Sequence, residues 1–120
     1  MKILIVDDSK AMRMIVIRTL KQAGFSGFQT LEAENGAQAL QVIEKDKPDL
    51  VLSDWNMPEM KGIDLLKKLR ESGNFTRLGF ITSESGPEIA KEAEDAGAAF
   101  IVTKPFTPQK FEMVLAPILA

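Results

Sequence analysis

The sequence predicts an α/β chain in which five βα units fold into one doubly wound parallel sheet. Three observations carry that reading. Short β-rich runs alternate with helical patterns from end to end, as parallel strands joined by crossover helices do. Three of the runs are almost continuously apolar, which suits strands covered on both faces. The chain has 120 residues, 45% of them hydrophobic, which is the size of one domain and enough for a two-sided core. No repeat, low-complexity tract or linker interrupts it, so residues 1–120 are read as a single domain.

The first strand is expected over Ile3 to Val6. Met12, Ile15, Val16 and Leu20 then repeat at helical spacing, and Gly24 supplies a stop. The run Phe28 to Ala33 alternates in polarity, as an edge strand does. Asn35 is placed to cap a helix that turns Ala39, Leu40 and Ile43 inward. Leu50 to Ser53 is the third strand, and Leu65, Leu66 and Leu69 mark the helix from Gly62 to Arg70, ended by Ser72-Gly73. Leu78 to Thr82 is the fourth strand. Pro87 suits a helix start and Gly97 the position after its end. Ala99 to Val102 is the fifth strand. Thr107-Pro108 opens the last helix, with Phe111, Val114, Leu115 and Ile118 inward and fraying expected at Pro117.

Right-handed crossovers leave few ways to wind such a sheet. The flavodoxin-like (βα)5 order, 2-1-3-4-5, is one common solution. It places ligands outside the carboxyl ends of the strands, at the switch between the first and third. Asp7-Asp8 and Asp54 would meet there, since each closes one of those strands. Lys104 closes the fifth strand and joins them on the same edge.

Composition narrows the chemistry. A net charge of −2 and the lack of a basic arm give no pull toward nucleic acid or anionic lipid. No apolar stretch reaches the roughly 18 residues of a membrane span, and the N-terminus is unlike a signal peptide, so a cytoplasmic protein is expected. Zero cysteines remove disulfides and thiolate chemistry. Zero histidines remove imidazole-ligated zinc, Ser-His-Asp catalysis and phosphohistidine.

Each candidate site residue has two readings. Asp7-Asp8 serves either as acids at a helix start, with Asp8 or Ser9 as the cap, or as hard oxygen ligands for a divalent cation. Asp54 is either a turn acid or a carboxylate nucleophile that attacks phosphorus. Lys104 is either solvated or a point charge for a phosphate, with Pro105 restraining its backbone. Thr82-Ser83 is either a turn or a hydroxyl donor to a phosphoryl oxygen. Crowded acids should also raise one another's pKa values. Trp55 is expected as an exposed aromatic. Met12, Met14, Met57, Met60 and Met113 are read as core or loop packing, and Lys67-Lys68, Lys91-Glu92 and Glu94-Asp95 as solvated helix faces.

In order, the segments Val6-Asp7-Asp8-Ser9, Asp54 to Gly62, Ile81-Thr82-Ser83-Glu84, Ala96-Gly97-Ala98 and Lys104-Pro105-Phe106-Thr107 span nearly the whole chain. In this the sequence resembles the receiver domains of two-component response regulators, and among them the single-domain chemotaxis regulators. The resemblance implies that Asp54 accepts a phosphoryl group from a sensor histidine kinase with Mg2+ or Mn2+. Asp8 would ligate the metal directly and Asp7 through water, with Asp54 and the Asn56 carbonyl as further ligands. Thr82 would be the switch hydroxyl and Lys104 the phosphate partner, while Asn56 and Glu84 would tune dephosphorylation. One position departs from the pattern: Ile101 stands where the family usually has Tyr or Phe, with Phe100 just before it.

With no output domain after Ala120, the implied signal passes by contact through the fourth helix, fifth strand and fifth helix. The implied partners are the kinase, a phosphatase and an output protein such as a flagellar motor switch, for a monomer that is not itself an enzyme. A magnesium-dependent phosphatase or phosphotransferase with an Asp nucleophile is the alternative. There, however, a second acid two residues on would protonate the leaving group, and Asn56 cannot. A flavin binder would need a hydroxyl- and Gly-rich loop after the first strand, where this chain has two acids.

Overall fold

The near-continuous apolar runs become the inner strands. The computed structural model describes residues 1–119. β1 (Lys2–Val6), β3 (Leu50–Asp54) and β4 (Arg77–Thr82) are buried along nearly their whole length. β2 (Gln29–Ala33) and β5 (Phe100–Thr103) form the two half-buried edges. All neighbours pair in parallel, in the order β2-β1-β3-β4-β5 that the sequence predicts. Ala120, the last residue of the expected domain, lies outside the described residues.

Alternating side chains feed two cores. On one face α1 (Lys10–Gln22) and α5 (Pro108–Leu119) bury Val16, Leu20, Phe111 and Leu115 against Ile3, Ile5, Leu50, Leu52 and Val102. On the other, α2 (Gly36–Asp46), α3 (Gly62–Glu71) and α4 (Pro87–Asp95) bury Ala39, Ile43, Leu65, Leu66, Leu69 and Ala93 against Leu4, Val6, Val51, Leu78 and Phe80. Among the described residues no helix is long and apolar enough to cross a membrane.

Local chemistry sets the helix ends. Ser9 caps α1, its side chain accepting from the Met12 N–H at 3.2 Å, so the Asp8 carboxylate is not used there. Asn35 caps α2 by accepting from the Gln38 N–H at 2.9 Å, and Thr107 Oγ1 accepts from the Lys110 N–H at 3.2 Å. α5 runs on through Pro117 to Leu119. Proline there removes one backbone donor near the helix end, while fully buried Phe111 and Leu115 anchor the preceding turns. Met14 and Met113 depart from expectation, since both are exposed.

Two contacts shape the sheet beyond its hydrogen bonds. Gly79 on β4 pairs with Phe100 on β5, and the Phe100 ring lies where a Gly79 side chain would be. Phe100 therefore faces α1 and α5, while Ile101 faces the opposite core beside Phe80. The second contact is at the amino-terminal rim. Arg70 on α3 donates from Nη1 to the carbonyls of Asn74 and Thr76 at 3.1 and 2.9 Å, and from Nη2 to Gly97 at 3.0 Å. One guanidinium thus ties the α3–β4 and α4–β5 connections.

The Gly79–Phe100 fit predicts a non-additive pair. Gly79→Ala should destabilise the fold by about 1–3 kcal/mol through overpacking. Phe100→Leu removes the overlapping ring atoms, so the double variant should cost less than the sum of the two singles. Urea melts of the four proteins check this, and strict additivity would refute the contact.

Candidate functional site

β1 and β3 are neighbours, but their chains leave the sheet toward opposite faces, into α1 and α3. The crevice between them receives the acids that close each strand. Asp7 is buried, Asp54 half-buried and Asp8 exposed, and one carboxylate oxygen from each lies within 4.8 Å of the others. Asp7 Oδ1 accepts from the Ser9 N–H at 2.9 Å, and Asp54 Oδ1 accepts from the Trp55 N–H at 2.8 Å. These bonds hold each side chain in place.

Lys104 enters from the far end of β5. Its Nζ lies 3.6 Å from Asp54 Oδ1 and 3.9 Å from Asp7 Oδ2, ion-pair range but longer than a hydrogen bond. The Lys104–Pro105 peptide is cis. Thr82 ends β4 fully buried, and its Oγ1 accepts from the Glu84 N–H at 2.9 Å. Asn56 Nδ2 donates to Glu84 Oε1 at 3.1 Å, joining the loops after β3 and β4 across the exposed rim. All the site residues named from the sequence therefore stand on or beside one sheet edge, except Ile101, which faces the core beside Phe80.

The segment after Asp54 is fastened at several points. Met57 is buried, and Met60 lies over Gly36 so closely that a side chain there would overlap it. Gly62 donates its N–H to the Trp55 carbonyl at 2.9 Å, and a Cβ on it would strike the Asp54 carbonyl. Only glycine lets α3 start this close to the end of β3. Trp55 is 4% exposed, contrary to the expected exposed aromatic. It meets Phe80 edge-to-face at 4.9 Å between ring centroids, so its indole belongs to the core.

The carboxyls of Asp7 and Asp54 are both shifted above the ordinary value of 3.8. Burial is the main cause in each, larger than the mutual repulsion that the sequence suggests. For Asp7 the Ser9 N–H opposes the shift, while Asp54 and Asp8 add to it. For Asp54 the Lys104 ammonium and the N–H groups of Trp55 and Asn56 oppose it. The cluster holds three carboxylates against one ammonium, and its donors are all oxygen. Those features fit a hard divalent cation such as magnesium, which takes one or two carboxylates and keeps part of its water shell.

Two neighbours of the site were not anticipated. Arg13 is buried in the first turns of α1 and Glu32 lies beside it on β2. The signal for Arg13 was present as a charge three residues before Val16 and seven before Leu20, on the stripe that faces the sheet.

Comparison with known proteins gives a consistent picture. Residues 3–116 match the family model of the response regulator receiver domain. The chain is 43% identical over 122 residues to the chemotaxis protein CheY1 of Helicobacter pylori, covering 96% of this chain and 97% of that one. It is 46% identical over 109 residues to the chemotaxis protein CheY-3 of Vibrio cholerae, covering 89% and 82% respectively. Among solved structures, the Vibrio cholerae chemotaxis protein CheY4 superposes with a TM-score of 0.85 at 35% identity, covering 98% of each chain. The receiver domain of the Francisella response regulator 1452 superposes at 0.86 with 28% identity, covering 97% and 93%.

The raised carboxyls predict how metal-free stability varies with pH. Between 3.8 and the raised values the folded protein holds more protons than the unfolded chain, so stability falls as pH rises through that window. Asp54→Asn should flatten the fall and stabilise the metal-free protein at neutral pH. Urea melts in chelator from about pH 4 to about pH 8 measure this, and an unchanged slope in Asp54→Asn would contradict it.

Proposed function

The chain belongs to the response regulator receiver family, and from that premise we propose that it is a CheY-like phosphoacceptor of a two-component phosphorelay. The observation that carries the reading is the Asp54 carboxylate, set within the acid cluster with the Lys104 ammonium 3.6 Å away. An Asp54 oxygen attacks the phosphorus of a kinase phosphohistidine. The new O–P bond forms as the P–N bond breaks, and the imidazole keeps that electron pair.

Asp8 directly, Asp7 through water, and Asp54 with the Asn56 carbonyl would hold Mg2+ or Mn2+. When bound, the metal supplies positive charge against the negative charge that builds on the phosphoryl oxygens. Lys104 then pairs with a phosphoryl oxygen, which requires it to exchange its long contacts with the carboxylates for a shorter one. Thr82 Oγ1 is the hydroxyl that donates to another. The Asn56–Glu84 bond spans the rim that hydrolytic water would cross, which supports assigning those two residues to control of dephosphorylation.

The output is a change in the α4-β5-α5 surface, read by a partner such as a flagellar motor switch in chemotaxis. The protein works in the cytoplasm as a monomer, with a histidine kinase as donor and a phosphatase as a further partner. It accepts the phosphoryl group and assists its own turnover, without acting on a separate substrate. The phosphatase alternative is disfavoured because the residue two beyond the nucleophile is the Asn56 amide, committed as a donor to Glu84.

Incubation with magnesium and acetyl phosphate, followed by intact mass, tests the proposal. One phosphate-sized adduct should form, require magnesium and be absent in Asp54→Asn. No adduct on the unaltered protein, or one that persists in Asp54→Asn, would overturn it.

A further inference from the structure

Arg13 stands one helical turn into α1, which has no acid in its first turn. A cation there opposes the helix dipole. It is nonetheless buried, 7% exposed, which a guanidinium tolerates only with well-placed partners. Nη1 donates to the main-chain carbonyl of Asp7 at 2.7 Å, and Nε donates to Glu32 Oε1 at 2.8 Å. Glu32 comes from β2, where it pairs in register with Ile5, two residues before Asp7.

The Asp7 carbonyl belongs to the peptide that joins the two acids. Rotating that peptide would swing the direction in which Asp8 leaves the chain. It would also pull on the Asp7 side chain, which is tied to the Ser9 N–H at 2.9 Å. Arg13 therefore grips the one backbone unit that sets both carboxylates. Its own charge has the wrong sign for a neighbour of a cation site, and Glu32 balances it.

We propose that Arg13 and Glu32 are a positioning pair for the acid pocket. Arg13 fixes the Asp7–Asp8 peptide so that both carboxylates converge with Asp54 on a divalent cation. Glu32 neutralises the guanidinium so that this brace does not repel the cation. The inference rests on the magnesium reading of the acids. A purely structural Arg13, serving only to satisfy a buried carbonyl, would affect stability and leave metal affinity alone.

Magnesium titration without phosphodonor, by calorimetry and Trp55 emission, separates the two roles. The proteins are the unaltered chain, Arg13→Met, Glu32→Gln and Gly79→Ala, the last being a destabilised comparator whose defect lies against Phe100. Arg13→Met should weaken magnesium binding about tenfold or more, as loss of a partner behind a metal ligand does. Gly79→Ala should bind as the unaltered chain does. Glu32→Gln should weaken binding at low salt, with the loss shrinking as salt screens the bare guanidinium.

Unaltered affinity in Arg13→Met overturns the positioning role. Unaltered affinity in Glu32→Gln at low salt overturns the charge balance, and this exposed substitution decides the matter if Arg13→Met fails to fold. Absence of any magnesium response in the unaltered chain removes the metal reading, and this inference with it.

Discussion

The structure turns on the partial burial of carboxylates at the carboxyl edge of the sheet. Asp7 and Asp54 sit where water is reduced, close to each other and to Asp8, with Lys104 as the nearby cation. Such an arrangement costs stability in the absence of a further positive charge. The rest of the fold makes it hold. Parallel pairing of β1 with β3 sets the spacing, and opposite departures into α1 and α3 open the crevice. Gly62 lets α3 return against Asp54, and the Met60–Gly36 contact fixes the intervening segment. The pocket is built by backbone geometry and close packing, and the acids are placed into it.

Most of the architecture was legible in the sequence because strands and helices are written in local periodicity. Crossover handedness left few strand orders, of which 2-1-3-4-5 was one common solution, and the convergence of Asp7, Asp8, Asp54 and Lys104 followed from that order. What escaped depends on contacts between segments remote in the chain. Trp55 is buried because Phe80 on β4 lies edge-on to its ring, and nothing local to Asp54 reveals that. The Asn56–Glu84 bond joins residues 28 apart in sequence and depends on where two loops settle. Arg13 was missed for a different reason. A charge on an inward stripe reads as an interruption, and its two partners, Asp7 just after β1 and Glu32 on β2, explain it.

The departure at Ile101 has a physical counterpart in the packing. Phe100 and Ile101 occupy opposite faces of β5, so the aromatic ring before Ile101 does not stand in for one at it. Its place against β4 requires a residue without a side chain, Gly79. On the other face, aromatic volume next to Thr82 is supplied by Phe80, wedged between Trp55 and Gly62 and fully buried. In this chain the aromatic bulk beside Thr82 stands on β4 at an enclosed position, while the neighbouring edge strand offers half-buried Ile101. A side chain enclosed on all sides has few rotamers to exchange, so the proposed coupling of Thr82 to the α4-β5-α5 surface would use movement of backbone more than rotation of one ring.

The Arg70 clamp gives that movement a direction. The rim where α3 and α4 end and β4 and β5 begin is cross-tied by one guanidinium to three carbonyls. At the opposite end, residues Ser83 to Gly86 are all exposed, with Glu84 bonded to Thr82 and Asn56. α4 is therefore tied at its carboxyl end, near Gly97, while the segment that leads into Pro87 at its other end is exposed. Under the proposed switch, a small displacement in the acid pocket would reach α4 at its less tethered end and be carried along the flank that α4 shares with β5.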